Sequence, residues 1–319
     1  MYIIFNKTCL HLNKKTLFFI QSKVILTDVK INSNTTIFDY KVTKLNIIQP
    51  CYDYAIEILD ETKVNTIEIS LNNKLFYVKL HYPFEKLLES IKSNMNIIST
   101  MAKNYNHRLD EWIKYNLNLG FDKIIIYNNE ENKSTNLNEG NDYYENMNIV
   151  TDKYRDSVYV IEFPYSPFNG LHWNNIQRMS LHLSLTLLNN NCNFCSFIDA
   201  DEFIYINEKV NIKKFLQRYN YTLKMGSNII TNKNDNDAVY NNILSICNYV
   251  GEDKYTKLFI YMKNIPSFFG STDDVKFLPN VHDTPYAIQI DNEKIMHFHC
   301  FVNKRYKYNK NQKYFSLIN

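Results

Sequence analysis

The hydrophobic pattern of this chain changes period once, and that change limits the folds open to it. From Met1 to about Tyr82 apolar and polar residues alternate. Thr66-Ile67-Glu68-Ile69-Ser70-Leu71 and Lys74-Leu75-Phe76-Tyr77-Val78-Lys79-Leu80 flank Asn72-Asn73. A period of two marks half-buried strands, and Asn tolerates the positive φ of a tight turn, so this segment predicts a β-hairpin. Short runs at Leu17–Ile20, Val24–Leu26, Ile37–Val42 and Tyr54–Leu59 extend the reading to a small β-rich N-terminal domain over residues 1–82, with no chemistry evident in it.

After Pro83 a helix from Phe84 to Ser93 acts as a joint, and the texture changes. Ile97–Ala102, Ile124–Tyr127, Val158–Phe163 and Phe194–Ile198 are continuous apolar runs of the kind buried strands show. Between them, Leu109, Trp112, Ile113 and Leu117 share a helical stripe that Gly120 closes. Leu171–Leu188 reads as a long helix with Trp173, Ile176, Leu183 and Leu187 on one face. Strand, helix, strand order predicts an α/β domain over 83–319. No internal repeat is evident, and Thr231–Asp237 reads as a loop.

Composition removes several classes. A length of 319 residues allows two domains of ordinary size. Six glycines and seven prolines exclude collagen-like and Gly/Pro-rich disordered chains. Lys+Arg 36 against Asp+Glu 33 leaves a net charge of +3, too small to make nucleic acid the expected partner. Only five of the basic residues are Arg, and Asn, Ile, Tyr and Lys are used heavily. These residues have AT-rich codons, as in a large DNA virus, a protist or a low-GC bacterium.

Six cysteines in a chain of this length do not form a disulfide framework, and no signal peptide is read ahead of them. The apolar stretch Leu17–Ile20 is far short of the roughly 20 residues a membrane span requires. The expectation is a chain without a transmembrane segment in a cytoplasmic setting, including a virus factory or a virion.

The sharpest motif is Ile198-Asp199-Ala200-Asp201-Glu202-Phe203, three carboxylates after an apolar strand. In open α/β sheets ligands bind at that edge. On an extended segment Asp199 and Asp201 point to one side and can approach one hard cation, Mn²⁺ or Mg²⁺. The plainer alternative is a solvated acidic turn. Cys192-Asn193-Phe194-Cys195 has no second pair, spans a helix end and a strand, and reads as packing.

The surrounding order carries a resemblance. Met101-Ala102-Lys103-Asn104 comes first, then His107–Asp122 with Glu111-Trp112 and Gly120, then Ile124–Asn129; Gln177 lies on the helix before Asp199–Phe203. Over roughly residues 95–206 this resembles glycosyltransferase family 92 and its family 2-like relatives of the GT-A fold. The resemblance implies a Rossmann-like nucleotide-diphospho-sugar transferase domain after the β-rich one. It also implies metal-dependent, inverting transfer of a hexose from a UDP-sugar such as UDP-galactose to a glycan or protein acceptor. Lys103, Asn104, Asn128, Gln177 and Asp199 would bind the nucleotide sugar, and Asp199 and Asp201 the cation. Two positions depart from the family pattern: Tyr105 replaces an acid, and Asn128 stands where an Asp is expected.

Near the end, Ile295-Met296-His297-Phe298-His299-Cys300-Phe301 places two histidines on one side of a strand. Either completes the metal site or hydrogen-bonds to backbone. His299 is preferred, because Asn303-Lys304-Arg305 resembles the polar stretch after the family's final His; Lys304 or Arg305 then reaches the diphosphate or is ordinary surface charge. Inversion requires a carboxylate base on the acceptor side. Asp273 and Asp274 after Phe269-Gly270-Ser271 are the leading candidates, with Asp235, Asp237 and Asp253 behind them and His282 lining the acceptor side. A catalytically inactive glycan-binding or scaffolding protein is the alternative. A two-metal phosphoesterase is disfavoured, because it needs more His and Asp ligands in order.

Overall fold

The computed structural model describes residues 1–33, 37–46, 51–103, 106–130, 147–207, 210–232, 247–263, 265, 282, 284, 286–291 and 295–301, with backbone alone at 46, 106–108, 149, 229–232, 247–255 and 296–301. In chain order the first elements are β1 (Tyr2–Ile4), β2 (Leu10–Leu12), β3 (Lys15–Ser22), β4 (Val29–Asn32), β5 (Asp39–Asn46), β6 (Tyr52–Leu59), β7 (Thr66–Leu71), β8 (Lys74–Lys79) and α1 (Glu85–Ser90). There follow β9 (Asn96–Ala102), α2 (Asn106–Leu119), β10 (Lys123–Asn128), α3 (Met147–Thr151), β11 (Val158–Glu162) and α4 (Asn174–Leu188). The last are β12 (Phe194–Phe197), β13 (Glu202–Ile206), α5 (Ile212–Leu216), β14 (Leu223–Asn232), β15 (Cys247–Tyr261), β16 (Ile288–Gln289) and β17 (Ile295–Phe301).

The chain divides into two compact units, one of Met1–Ile91, Ile161–Asn189 and Ile265–Leu278, the other of Lys92–Val160, Asn190–Asn264 and Pro279–Asn319. The first holds a five-stranded antiparallel sheet, β1-β3-β6-β5 with β2 beside β3, and the three-stranded sheet β4-β7-β8. The β7–β8 hairpin turns at Asn72 and Asn73, whose φ of 46° and 65° is the left-handed conformation that Asn accepts. Alternate strand residues such as Ile67, Ile69 and Leu71 enter the core with Phe18, Ile20 and Ile56.

Helix α4 also belongs to the first unit, and every residue from Met179 to Leu188 is buried. The expected single apolar face is corrected to burial all round. Polar positions are admitted because their hydroxyls bond backwards along the helix, Ser180 Oγ donating to Gln177 O at 2.8 Å and Thr186 Oγ1 to His182 O at 2.8 Å. Arg178 and His182 of this helix meet Asp53 of β6, whose carboxylate also accepts from Gln21 Nε2 of β3 at 2.9 Å.

The second unit is built on a nine-stranded mixed sheet, β11-β10-β9-β12-β15-β14-β17-β13 with β16 beside β14. β9 pairs in parallel with both β10 and β12, while β12–β15, β14–β15 and β13–β17 are antiparallel. Its core gathers Ile98, Trp112, Ile124, Phe203, Phe215 and Phe259. Helix α2 ends at the expected place. Gly120 takes φ 107°, and the Phe121 N–H returns to Asn116 O at 3.2 Å, which closes the last turn.

The predicted class does not survive. Among the described residues strand (41%) outweighs helix (21%), with several antiparallel sheets, which does not fit a Rossmann-like α/β GT-A domain. The error has a physical source. Continuous apolar runs identified the three parallel strands β9, β10 and β12, but the later strands carry polar residues that break that pattern, and they pair mostly antiparallel. No helix among the described residues is long and apolar enough to cross a membrane.

Candidate functional site

Three strands of the second unit end at one sheet edge. In the registers of the parallel trio, Asn128 faces Ala102 and Phe197 faces Ser99, so the residues after β9, β10 and β12 leave on the same side. At that side lie Lys103 after β9, Asn128-Asn129 at the end of β10, and the acidic turn beginning at Asp199. β9 continues through α2 to β10 on one flank, and β12 lies on its other flank. The connections after β9 and β12 depart toward opposite flanks of the sheet, and in open sheets with parallel strands ligands bind outside such strand ends.

The turn is tightly built. The Glu202 N–H donates to Asp199 O at 3.0 Å, and the Asp199 N–H donates to the Glu202 side chain, Oε2, at 2.7 Å. Residues 199–202 are therefore a β-turn and not an extended segment, so period-two alternation does not describe where Asp199 and Asp201 point. The strand after it is pinned by α2: Trp112 Nε1 donates to Glu202 O at 2.9 Å, and Tyr115 OH donates to Ile204 O at 2.6 Å. Tyr115 also packs edge-on against Phe203, with ring centroids 5.1 Å apart.

A residue without any motif around it lies beneath the turn. Lys257 of β15 is 1% exposed, and its Nζ is 2.8 Å from Glu202 Oε2 and 3.3 Å from Asp199 Oδ2. Burial alone pushes an ammonium toward the neutral form, but the Asp199 and Glu202 carboxylates outweigh it and hold Lys257 charged beyond the ordinary lysine range. Glu202 is turned inward and 3% exposed, whereas the Asp199 side chain keeps 34% of its surface open and Asp201 is half-buried.

That donor set can be tested against a cation. Among the described residues no group of three or more His, Cys, Asp or Glu is arranged to hold a metal ion. A site of the Mg²⁺ type takes only one or two carboxylates and completes its shell with substrate phosphates and water. Of the three acids of the turn, Asp199 and Asp201 keep surface open to solvent, and the inward Glu202 does not.

No protein-family model and no curated protein matches the chain. The likeness to family 92 therefore rests on the motif residues alone.

The other candidates fall as follows. Lys103 follows β9 and is half-buried; Asn104 lies outside the described residues. Asn128 Oδ1 accepts the Glu130 N–H at 3.0 Å in a local turn, a role an Asp would fill equally. Gln177 sits on α4, in the first unit and not in the unit of the acidic turn. The β13–β17 register sets His299 across from Glu202 and His297 across from Ile204, so His299 is nearer the turn along the backbone; both side chains lie outside the described residues.

Asp273, Asp274, Asp235, Asp237, Lys304 and Arg305 lie outside the described residues, as does the Asp253 side chain. His282 is tied to β15, its Nδ1 3.0 Å from Thr256 O and its carbonyl accepting from Thr256 Oγ1. Cys192 and Cys195 are buried free thiols, and burial pushes the Cys195 thiol up to about 12 and the Cys192 thiol well upward. Neutral, buried thiols suit packing.

Proposed function

We propose that the chain is a divalent-cation-dependent glycosyltransferase that takes a hexose from a nucleotide-diphosphate sugar, such as UDP-galactose, and passes it to a glycan or glycoprotein acceptor. The observation that carries this reading is the exit of the acidic turn at the shared ends of β9, β10 and β12, with Lys103 and Asn128 on the neighbouring strand ends. Breaking the sugar–phosphate bond leaves a nucleoside diphosphate with growing negative charge. A bound Mn²⁺ or Mg²⁺ there supplies charge stabilisation to the departing diphosphate. Asp199 and Asp201 hold that cation, Asp199 or Asn128 orients the ribose side, and the Lys103 ammonium approaches the nucleotide phosphates. Asp273 or Asp274 takes the acceptor proton, and His299 is the residue of β17 proposed to complete the cation's ligands.

A second reading is a glycan-binding or scaffolding protein without turnover. Lys257 favours it, because it already supplies Asp199 with a positive charge. Incubation of the purified chain with a panel of nucleotide sugars and Mn²⁺ separates the two. Release of nucleoside diphosphate is expected, falling by about 100-fold in Asp201→Ala, the scale of losing one charge-stabilising group. Equal turnover in the variant removes the proposed metal role. No turnover together with no thermal shift on Mn²⁺ and UDP removes the donor-binding reading altogether.

A further inference from the structure

Three contacts converge on Asp199. Lys257 Nζ lies 3.3 Å from its carboxylate, Glu202 Oε2 accepts its N–H at 2.7 Å, and its carbonyl accepts the Glu202 N–H at 3.0 Å. Lys257 also grips Glu202 at 2.8 Å, so one ammonium braces both ends of the turn. Lysine is seldom buried to this degree, and a 1% exposed ammonium persists only where its partners compensate its lost hydration. Three carboxylates within four residues repel one another, and the lysine beneath them offsets that repulsion before any external cation arrives.

We propose that Lys257 is a positioning residue: it fixes the Asp199 carboxylate for a divalent cation and does not itself touch the nucleotide sugar. The inference rests on the cation reading above. Asp199, Asp201, Glu202 and Lys257 together carry a formal charge of −2, which matches a divalent ion. The geometry divides the labour, with Glu202 spent on the lysine and the turn backbone and Asp199 both braced and reachable from solvent. Groups that orient a metal ligand without touching the metal change affinity by about 10- to 100-fold when removed.

The test is Mn²⁺ binding alone, by calorimetry or by loss of the free-ion magnetic resonance signal, on the full chain, with near-UV circular dichroism showing that each variant is folded. Lys257→Met by itself leaves Glu202 buried without a counter-charge, so the informative variants are Glu202→Gln and the double variant Lys257→Met with Glu202→Gln. The double variant keeps the formal charge at −2, whereas Glu202→Gln lowers it to −1. Positioning by Lys257 orders the affinities as wild type, then Glu202→Gln, then the double variant, with the last about 10-fold or more weaker than wild type. A role for charge alone gives the opposite order, with the double variant equal to wild type and above Glu202→Gln, and that result overturns the proposal.

If the double variant lacks native dichroism, Lys257→Arg supplies a second charge-matched comparison. A longer, planar head displaces Asp199 and weakens Mn²⁺ binding, and unchanged affinity there likewise overturns the proposal. Wild type that fails to bind Mn²⁺ removes the cation reading and this inference together. Wild type that binds while the charge-matched variants bind equally removes this inference alone.

Discussion

Among the described residues each unit holds a buried cluster of charges around one fully enclosed ion, and the two are built in opposite senses. In the first unit the anion is enclosed. Asp53 has no exposed side-chain surface, and its carboxylate takes a forked pair from the Arg178 guanidinium, a hydrogen bond from Gln21 at 2.9 Å and the His182 ring at 3.7 Å. In the second unit the cation is enclosed. Lys257 lies between Glu202 and Asp199, and only Asp199 retains a substantial opening to solvent. An enclosed anion spends its acceptor capacity on its own fold, as a structural tie between α4 and the sheet. An enclosed cation leaves carboxylate surface facing outward, where a ligand can reach it.

The contrast is broken most directly by removing the enclosed group of each cluster. Asp53→Ala strands Arg178 in a largely buried setting and is expected to cost about 4 kcal/mol, within the range for breaking a buried pair. Lys257→Met is expected to cost about 3 kcal/mol, because only Glu202 is then left without water, while Asp199 recovers hydration. Urea unfolding of both variants measures the two losses. A larger loss for Lys257→Met, or no loss for Asp53→Ala, would show that the first cluster is not the tighter tie.

Acid sharpens the same comparison. Burial raises the Asp53 pKa, but the adjacent His182 ring, the Arg178 hydrogen bonds and the guanidinium charge outweigh it and bring the value from 3.8 to about 2. A depressed carboxylate pKa stabilises the fold wherever the unfolded chain would also be ionised. The contribution is therefore complete above about pH 4 and is lost as pH falls from there toward 2. Its size is about 2 kcal/mol, since each tenfold difference in proton affinity between the folded and unfolded chain is worth roughly 1.4 kcal/mol. Unfolding free energy measured from pH 5 to pH 2 should drop by about that amount in wild type and by less in Asp53→Asn. An undiminished drop in the variant assigns the acid sensitivity to other carboxylates.

What the sequence disclosed was local, and what it hid depended on distant partners. The β7–β8 hairpin was legible because Asn72-Asn73 carries its own turn chemistry, and the end of α2 because Gly120 does. β9, β10 and β12 were legible as unbroken apolar runs. The mixed sheet was not, since β15 contains Glu252, Asp253, Lys254 and Lys257 among its 15 residues and matches neither an alternating nor an apolar template. Ser180, His182, Ser184 and Thr186 interrupt the apolar residues of α4, yet they are buried. Lys257 offered one faint signal, its place at the head of the apolar run Leu258-Phe259-Ile260, where a strand enters the core. Its partners lie 58 and 55 positions back along the chain, and nothing local names them.

The smallest expected effect concerns how α2 holds the strand that follows the acidic turn. Tyr115 OH donates to Ile204 O at 2.6 Å while its ring packs on Phe203. Tyr115→Phe keeps the ring and removes only the hydroxyl, leaving one carbonyl of β13 short of a donor, at a cost of about 1 kcal/mol. Trp112 holds Glu202 O independently, so the turn itself stays in place and Mn²⁺ affinity should remain within about twofold of wild type. Thermal unfolding and Mn²⁺ titration of the same sample check both halves. A tenfold loss of affinity with little change in stability would mean that the bracing of the turn extends from Lys257 along β13 to α2, and that the second cluster is open over a narrower arc than its exposed carboxylate suggests.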